Sequence, residues 1–262
     1  MTVTTINPPG TFAWIELSTT DGPAAREFYG KLFGWEVKAN PMGPGFTYYM
    51  FQVDGLDVAA MYQLMEEQLK AGVPPHWLSY IAVASADDAT AKATSLGGTV
   101  ISPPTDVGTH GRMAMLKDPQ GAAFAVWQAG DNDGIGKRGE PGSLVWNELA
   151  TTDMKGATAF YTELFDWTTT KMPMPDMEYT IFEREAKGLG GGYEITPKMG
   201  PMPPNWLPYF AVSDCDAAVA LAGTLGAHVI MPPTDIPNTG RFAMLTDPWG
   251  AAFAVIKTIP MS

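Results

Sequence analysis

The chain has 262 residues, of which 45% are hydrophobic and 17% charged, a composition typical of a soluble globular protein with one large or two ordinary domains. Its net charge of −12 disfavours nucleic acids and anionic membrane surfaces as partners, because like charges repel. The N-terminal segment shows no signal-peptide pattern and no apolar run is long enough to span a bilayer. The single cysteine, Cys215, cannot form an internal disulfide, which suits a reducing compartment. We therefore expect a cytoplasmic protein without nucleic-acid or membrane partners.

The first elements follow the order βαβββ. Residues 12–17 alternate apolar and polar side chains and predict a strand. Asp21 then predicts the N-cap of a helix with Pro23 in its first turn, and Gly34 predicts its end. Three further strands are predicted at 35–37, 46–53 and 58–63.

The next stretch predicts the same order again. Residues 78–84 form a predicted strand, 87–96 a helix and 99–101 a second strand. Two more strands, 112–117 and 122–128, are predicted to pair across the Asp-Pro-Gln-Gly turn at 118–121. This is a second βαβββ module.

The second half of the chain repeats the first. Residues 12–21 return as 144–153, 74–83 return as 203–212, and 111–126 return as 240–255. The whole chain is therefore predicted to hold four βαβββ modules in two pairs, and residues that both copies keep are those the repeated unit needs. The predicted boundaries are a first domain at 1–130 with modules 11–63 and 74–129, a Gly- and Asp-rich linker at 131–142, and a second domain at 143–262 with modules 143–195 and 203–258.

This pattern predicts an α+β fold. The alternation indicates antiparallel sheets with one face against the helices. One module is too small to close a sheet, but two side by side can curl into a half-open barrel, and we expect a ligand in the cleft of each of the two barrels.

The chain resembles the vicinal oxygen chelate superfamily. The resemblance rests on the four βαβββ modules, on the helix sequence at 24–35 and on the Asp-Pro-X-Gly-Ala-Ala-Phe hairpins at 118–124 and 247–253. This superfamily includes glyoxalase I, bleomycin-resistance proteins and extradiol dioxygenases, and the chain is most similar to its tandem glyoxalase-like members. The resemblance implies a small organic molecule as ligand or substrate. In metal-dependent members it also implies His or Glu ligands on the first and last strands of the modules, which hold a divalent metal as Lewis acid.

The positions carried over from the family's metal ligands hold other residues here. They fall on Trp14 and Trp146, Tyr80 and Tyr209, Ala125 and Ala254, and the run Ala59-Ala60-Met61. Trp, Ala and Met do not bind hard metal ions, and Tyr does so rarely. We therefore expect no metal ligand set and no cofactor. The alternative is a Zn, Ni, Mn or Fe site in the first barrel, built from Glu16 with His76 or His110.

Glu16 and Glu148 are the candidate catalytic residues. Each lies two residues after a repeated Trp, so it shares that residue's face of the strand. In an apolar cleft such a carboxyl has a raised pKa and can act as a general base. The alternative is a structural carboxylate bonded to an Arg or to backbone groups.

Further residues that both copies keep are candidates for substrate binding, with core packing of the aromatics and an Arg–carboxylate clamp as the alternatives. They are Trp14, Trp146, Tyr80, Tyr209, Trp77, Trp206, Arg112 and Arg241. The glycines of 188–192 are interpreted as making room beside the cleft, and the Met- and Pro-rich loops, such as 172–177 and 199–204, as either adaptable lips or plain connections.

These patterns leave three hypotheses for function. The first is a glyoxalase-like protein that acts on or captures a small organic molecule in aromatic-lined pockets without the usual metal, by proton transfer next to a carbonyl. The second is a metal-dependent glyoxalase, lyase or extradiol-type dioxygenase using one barrel. The third is a drug- or antibiotic-binding protein without turnover. A monomer and a homodimer are both compatible with two fused barrels.

Overall fold

The computed structural model describes residues 7–43, 45–174 and 177–259 and shows one element order twice. The first half contains β1 Phe12–Thr19, α1 Gly22–Phe33, β2 Glu36–Gly43, β3 Phe46–Val53, β4 Leu56–Gln63, α2 Glu66–Lys70, β5 His76–Ala82, α3 Ala86–Ser95, β6 Thr99–Val107, β7 Gly111–Lys117 and β8 Ala123–Ala129. The second half contains β9 Leu144–Thr151, α4 Met154–Phe165, β10 Thr168–Pro173, β11 Glu178–Arg184, β12 Lys187–Glu194, a 3-10 turn at Pro197–Met199, β13 Asn205–Ala211, α5 Cys215–Thr224, β14 His228–Ile236, β15 Gly240–Thr246 and β16 Ala252–Thr258. The four predicted βαβββ modules are confirmed.

The predicted helix ends are also confirmed. The Asp21 side chain accepts a hydrogen bond from the Ala24 amide (3.1 Å), and Asp153 does the same for the Gly156 amide (2.9 Å). Gly34 ends α1 in the left-handed conformation, with φ of 72°. These caps satisfy amides that have no partner within the helix and define where each helix begins.

Each half forms one eight-stranded sheet. The strand orders are β2-β3-β4-β1-β5-β8-β7-β6 and β10-β11-β12-β9-β13-β16-β15-β14, and within the described residues neither sheet closes on itself. The prediction of wholly antiparallel sheets was wrong, because β1 pairs with β4 in parallel and β5 with β8 in parallel. Alternation reports which side of a strand is buried, whereas the long crossover through each helix decides its direction.

The described residues form two compact units. Unit 1 takes the chain up to Trp14 together with Leu78–Gly134 and Trp146–Leu207, and unit 2 takes Ile15–Trp77, Ile135–Val145 and the chain from Pro208. Each sheet is therefore formed by one half of the sequence. Each compact unit, in contrast, combines most of one module from the first half with most of one module from the second. The domain boundaries at 130/131 and 142/143 stay a prediction.

Each unit has an aromatic core between a helix and a hairpin strand. In unit 1, Phe124 of β8 contacts three rings of α4, and in unit 2, Phe253 of β16 contacts three rings of α1. Those rings are Phe160, Tyr161 and Phe165 in α4, and Phe28, Tyr29 and Phe33 in α1.

The helices are short, with twelve residues in α1 and in α4. Within 7–43, 45–174 and 177–259, no helix has the length and apolar character needed to cross a bilayer. The sequence did not predict α2, which buries no side chain and so leaves no apolar periodicity to detect.

Candidate functional site

Glu148 lies half-buried in the middle of β9. It stands opposite Gly191 of the parallel strand β12. Trp146, two residues earlier, is also half-buried and shares its face of the strand. The predicted pairing of this acid with an aromatic side chain is therefore present in unit 1.

A chain of hydrogen bonds holds this carboxylate. Trp146 Nε1 donates to Tyr179 Oη (2.9 Å), and Tyr179 Oη donates to Glu148 Oε2 (2.9 Å). Burial raises the pKa of Tyr179 well above its ordinary value, and the negative charge of Glu148 raises it further. Tyr179 therefore stays a neutral donor at physiological pH and orients the carboxylate.

Glycines of β12 make room for both rings. A methyl group at Gly191 would overlap the Tyr179 ring, and one at Gly188 would press against the Trp146 indole. The interpretation of 188–192 as a segment that accommodates neighbouring groups agrees with these contacts. The first copy has Ala60 in place of Gly191, since each is paired with the repeated glutamate of its sheet.

Replacing Gly191 with Ala is expected to push the Tyr179 ring away from Glu148. Both hydrogen bonds of the tyrosine would be lost, and the loss of about 1–2 kcal/mol in the free energy of unfolding is measurable by urea denaturation. Ala60→Gly is the matched control, since it adds no atoms beside the corresponding glutamate. A Gly191→Ala crystal structure with Tyr179 still on Glu148 would refute this account.

An apolar cluster lies beside the carboxylate. Tyr179 and Tyr193 are each only 8% exposed and form a buried cluster with Ala150. Burial is also the main reason for the raised pKa of Tyr193. The partly buried side chains packed on this cluster are Trp146, Met172, Met174, Met177, Ile181, Ile195 and Met202. Methionines of the Met-rich loops thus pack on this cluster, and the choice between adaptable lips and plain connections stays open; Pro175 and Asp176 of the first loop lie outside the described residues.

Unit 2 holds the corresponding acid in a similar way. Tyr48 Oη donates to Glu16 Oε2 at 2.6 Å, and both side chains are half-buried. Tyr62, opposite Tyr48, accepts a hydrogen bond from Gln68 Nε2 (3.1 Å), and burial raises its pKa. The carboxylate bonded to a tyrosine is therefore a property of both copies.

Sequence reasoning did not single out Tyr48 and Tyr179. The signal was available, because both copies carry a tyrosine at the same position of the repeat, Tyr48 and Tyr179. Aligning β3 with β11 across the two copies pairs these tyrosines. The structural alternative for the glutamates named an Arg or backbone partner, and in each copy a tyrosine hydroxyl donates to the glutamate.

The other aromatic candidates are more deeply buried. Trp14 is 7% exposed, and Tyr80 and Tyr209 are 3% exposed. Tyr80 stands opposite Ala125 on the neighbouring strand, and Tyr209 stands opposite Ala254. In each copy, two of the positions that correspond to metal ligands in the family are therefore neighbours in the sheet. Their role in binding a substrate stays a prediction.

Trp77 and Trp206 belong to buried hydrogen-bond chains. Trp206 Nε1 donates to Tyr161 Oη (2.8 Å), whose hydroxyl donates to Asp118 Oδ2 (3.1 Å). In unit 2, Trp77, Tyr29 and Asp247 form the same chain at 3.1 and 2.9 Å. Desolvation raises the pKa of both aspartates and of both tyrosines. These contacts favour the core-packing alternative for the two tryptophans.

Arg112 and Arg241 each form a clamp. Arg112 binds both carboxylate oxygens of Asp87 (2.7 and 3.0 Å) and one of Asp106 (2.8 Å). Arg241 binds Asp216 (2.7 and 2.9 Å) and Asp235 (3.0 Å) in the same way. This arrangement favours the clamp over an anion site, because two carboxylates already neutralise each guanidinium.

The residues of the described chain do not provide the ligand set of a metal site. His76 Nδ1 lies 2.8 Å from the Pro74 carbonyl of its own turn, and His110 Nδ1 lies 2.6 Å from Asp131. Within residues 7–43, 45–174 and 177–259, no three His, Cys, Asp or Glu side chains are grouped as a metal ion requires. The donor set around Glu148 is a carboxylate, a phenol and an indole N–H, which does not fit a hard divalent cation. The expectation of a metal-independent protein stays a prediction.

Two cavities stand out in this structure, and neither includes a repeated glutamate. A groove of about 540 Å³ in unit 1 is lined by Leu96, Pro119, Gln120, Gly156, Ala159, Phe160 and Glu163. A second, of about 300 Å³ in unit 2, is lined by residues that include Leu32, Pro141 and Leu221.

The repeated βαβββ modules define a fold of the glyoxalase type. The sequence matches the family described as Glyoxalase/Bleomycin resistance protein/Dioxygenase superfamily over residues 11–126 and 143–255, and the chain belongs to that family.

Two relatives span nearly the whole chain. A protein of Mycobacterium tuberculosis named "Putative glyoxylase CFP32" is 42% identical over 253 residues, covering 96% of each chain. "Anthracycline biosynthesis protein DauV" of a Streptomyces species is 36% identical over 261 residues, covering 95% of this chain and 94% of that one.

Solved structures confirm the fold. The Mn(II)-bound glyoxalase of Novosphingobium aromaticivorans superimposes with a TM-score of 0.66 at 14% identity, covering 96% of this chain and 83% of that one. The 2,3-dioxygenase LapB of a Pseudomonas species gives 0.67 at 13% identity, covering 96% and 93%. At these identities the likeness concerns the fold and not the reaction.

Proposed function

We propose that the chain binds a planar aromatic small molecule bearing a carbonyl group beside Trp146, Tyr179 and Tyr193, and that Glu148 removes a proton next to that carbonyl. The observation that carries this proposal is the hydrogen-bond chain from Trp146 through Tyr179 to Glu148. The aromatic and methionine lining favours a flat apolar ligand, since both side-chain types offer large polarizable surfaces. The name of the anthracycline biosynthesis relative supports an aromatic polycyclic ligand class.

The proposed chemistry uses residues of this chain only. The Glu148 carboxylate takes the proton of the C–H bond, and the electron pair of that bond moves to the carbonyl oxygen as an enolate. The resulting carboxylic acid returns the proton to carbon, which isomerises the molecule or exchanges its hydrogen. Tyr179 positions the carboxylate through Oε2, and tyrosine and methionine side chains pack beside it.

A ligand titration tests binding. A hydroxyanthraquinone is expected to quench the emission of Trp146, because the flat chromophore would lie against the indole. The quenching should be largely lost in Trp146→Phe, and Trp14→Phe is the matched control in the first copy. No quenching in the wild type, or the same quenching in Trp146→Phe, would rule out this ligand class at this site.

Metal analysis separates this proposal from a metal-dependent reaction. We expect the purified protein to exchange the α-protons of β-tetralone, an aromatic ketone, at the same rate before and after treatment with EDTA. Stoichiometric Zn, Ni, Mn or Fe that EDTA removes together with the activity would favour the metal-dependent alternative.

Two further expectations have separate tests. Cell fractionation tests the proposed cytoplasmic location. Light scattering of the purified protein distinguishes a monomer from a homodimer.

A further inference from the structure

The groove of unit 1 differs from its counterpart in unit 2 at four wall positions. Aligning the copies pairs Gln120 with Trp249, Gly156 with Ala24, Ala159 with Glu27, and Glu163 with Lys31. In every pair the residue in unit 1 is smaller. The groove of about 540 Å³ in unit 1 therefore has smaller wall residues than the equivalent place in the other copy, where the Trp249 side chain is half-buried.

The counterpart shows what kind of group fits this place. Trp249 is half-buried in unit 2 and meets Phe28 edge to face, with ring centroids 6.2 Å apart and planes at 90°. Phe160 is the equivalent of Phe28 and lines the groove of unit 1. An aromatic ring entering this groove would therefore find the same edge-to-face partner, an arrangement worth about 0.5–1.5 kcal/mol beyond simple burial.

The wall of the groove also contains an unused acceptor. Gln120 Oε1 is buried and has no hydrogen-bond partner among the residues that the structure describes. An amide oxygen in this position is stabilised by any donor that reaches it. The Gln120 side chain lies beside Gly156, where a methyl group would overlap its amide nitrogen, so it borders the floor of the groove directly.

We infer that this groove is a binding site for a small planar aromatic heterocycle with an N–H donor, of the indole type. The ring lies between Pro119 and Phe160 and takes the place that Trp249 occupies in the other copy. Its N–H meets the carbonyl oxygen of Gln120 after a rotation of that amide. None of the residues that line the groove belongs to the hydrogen-bond chain of Trp146, Tyr179 and Glu148, so the inferred site is distinct from that of the proposed reaction.

Fluorine NMR with a fluorinated indole tests the site. The wild type is expected to broaden or shift the fluorine signal with saturable binding, and Gln120→Trp is expected to abolish this because the new side chain fills the groove. Gln120→Trp should fold well, since its counterpart already holds a tryptophan. N-methylindole, which lacks the donor, is expected to compete at least several-fold more weakly than indole.

The reverse substitution gives a matched gain of function. Trp249→Gln removes the largest of the side chains that differ in unit 2 and is expected to add a second, weaker binding site, provided that circular dichroism shows a folded protein. Glu148→Gln should leave indole binding unchanged. Absence of binding to the wild type, undiminished binding to Gln120→Trp, or equal competition by N-methylindole would each overturn the inference.

Discussion

Glu148→Gln is expected to slow α-proton exchange of β-tetralone by about 10²–10⁴-fold, because the amide cannot accept the proton. Binding of a hydroxyanthraquinone should change by only a few-fold, since the amide keeps the shape of the carboxyl and can still accept a hydrogen bond from Tyr179. Proton exchange is followed by NMR in deuterated water, and binding by quenching of tryptophan emission.

Glu16→Gln assigns the activity to one or both copies. Glu16 has a tyrosine partner but stands opposite Ala60, whereas Glu148 stands opposite Gly191. If both sites work, each single variant should lose part of the exchange rate and the double variant all of it. Unchanged exchange in the double variant would show that neither glutamate is the base, and normal binding without any exchange in the wild type would favour a binding protein without turnover.

Tyr161→Phe is expected to destabilise the protein by about 2–5 kcal/mol. Removing one hydroxyl leaves the Trp206 N–H and Asp118 Oδ2 without their partner in a buried place, and each such loss costs about 1–3 kcal/mol, more for a charged group. The aromatic ring and its packing on Phe124 are kept, so the loss reports the polar contacts. Urea denaturation measures the free energy of unfolding.

Tyr29→Phe provides the matched comparison in unit 2. It removes the same hydroxyl between Trp77 and Asp247, so a loss of similar size is expected. Gln120→Leu is a control that removes an amide with no partner for its oxygen and should change the free energy of unfolding far less. Two tyrosine variants as stable as the wild type would show that these buried chains contribute little.

The sequence predicted much of the fold because its signals are local. Asp21 and Gly34 bound α1 through caps that depend only on neighbouring backbone groups, and the Asp-Pro-X-Gly turns bring β7 to β8. The parallel pairing of β1 with β4 was missed, since alternation carries no information about strand direction. Comparing the copies also identified Glu16 and Glu148 without any structure.

The partners of those residues depend on contacts between distant parts of the chain. The sequence predicted Asp118 as a turn residue, and it does lie in a turn. Its carboxylate also accepts a hydrogen bond from the hydroxyl of Tyr161, 43 positions away in the chain. Arg112 looked available for a ligand, yet Asp87 and Asp106 bind it within its own module. Side-chain pairing across a fold follows packing geometry, which residue spacing does not encode.

By itself, the sequence determined the four modules, their repetition in two copies and the two repeated glutamates, because repetition and periodicity are properties of the chain alone. Only the tertiary structure decided that a tyrosine holds each glutamate and that Gly191 makes room for one of those rings. It alone showed that Trp77 and Trp206 donate to buried tyrosines. The physical reason is that a hydrogen bond depends on distance and direction in space, and these are fixed only when the strands are in register.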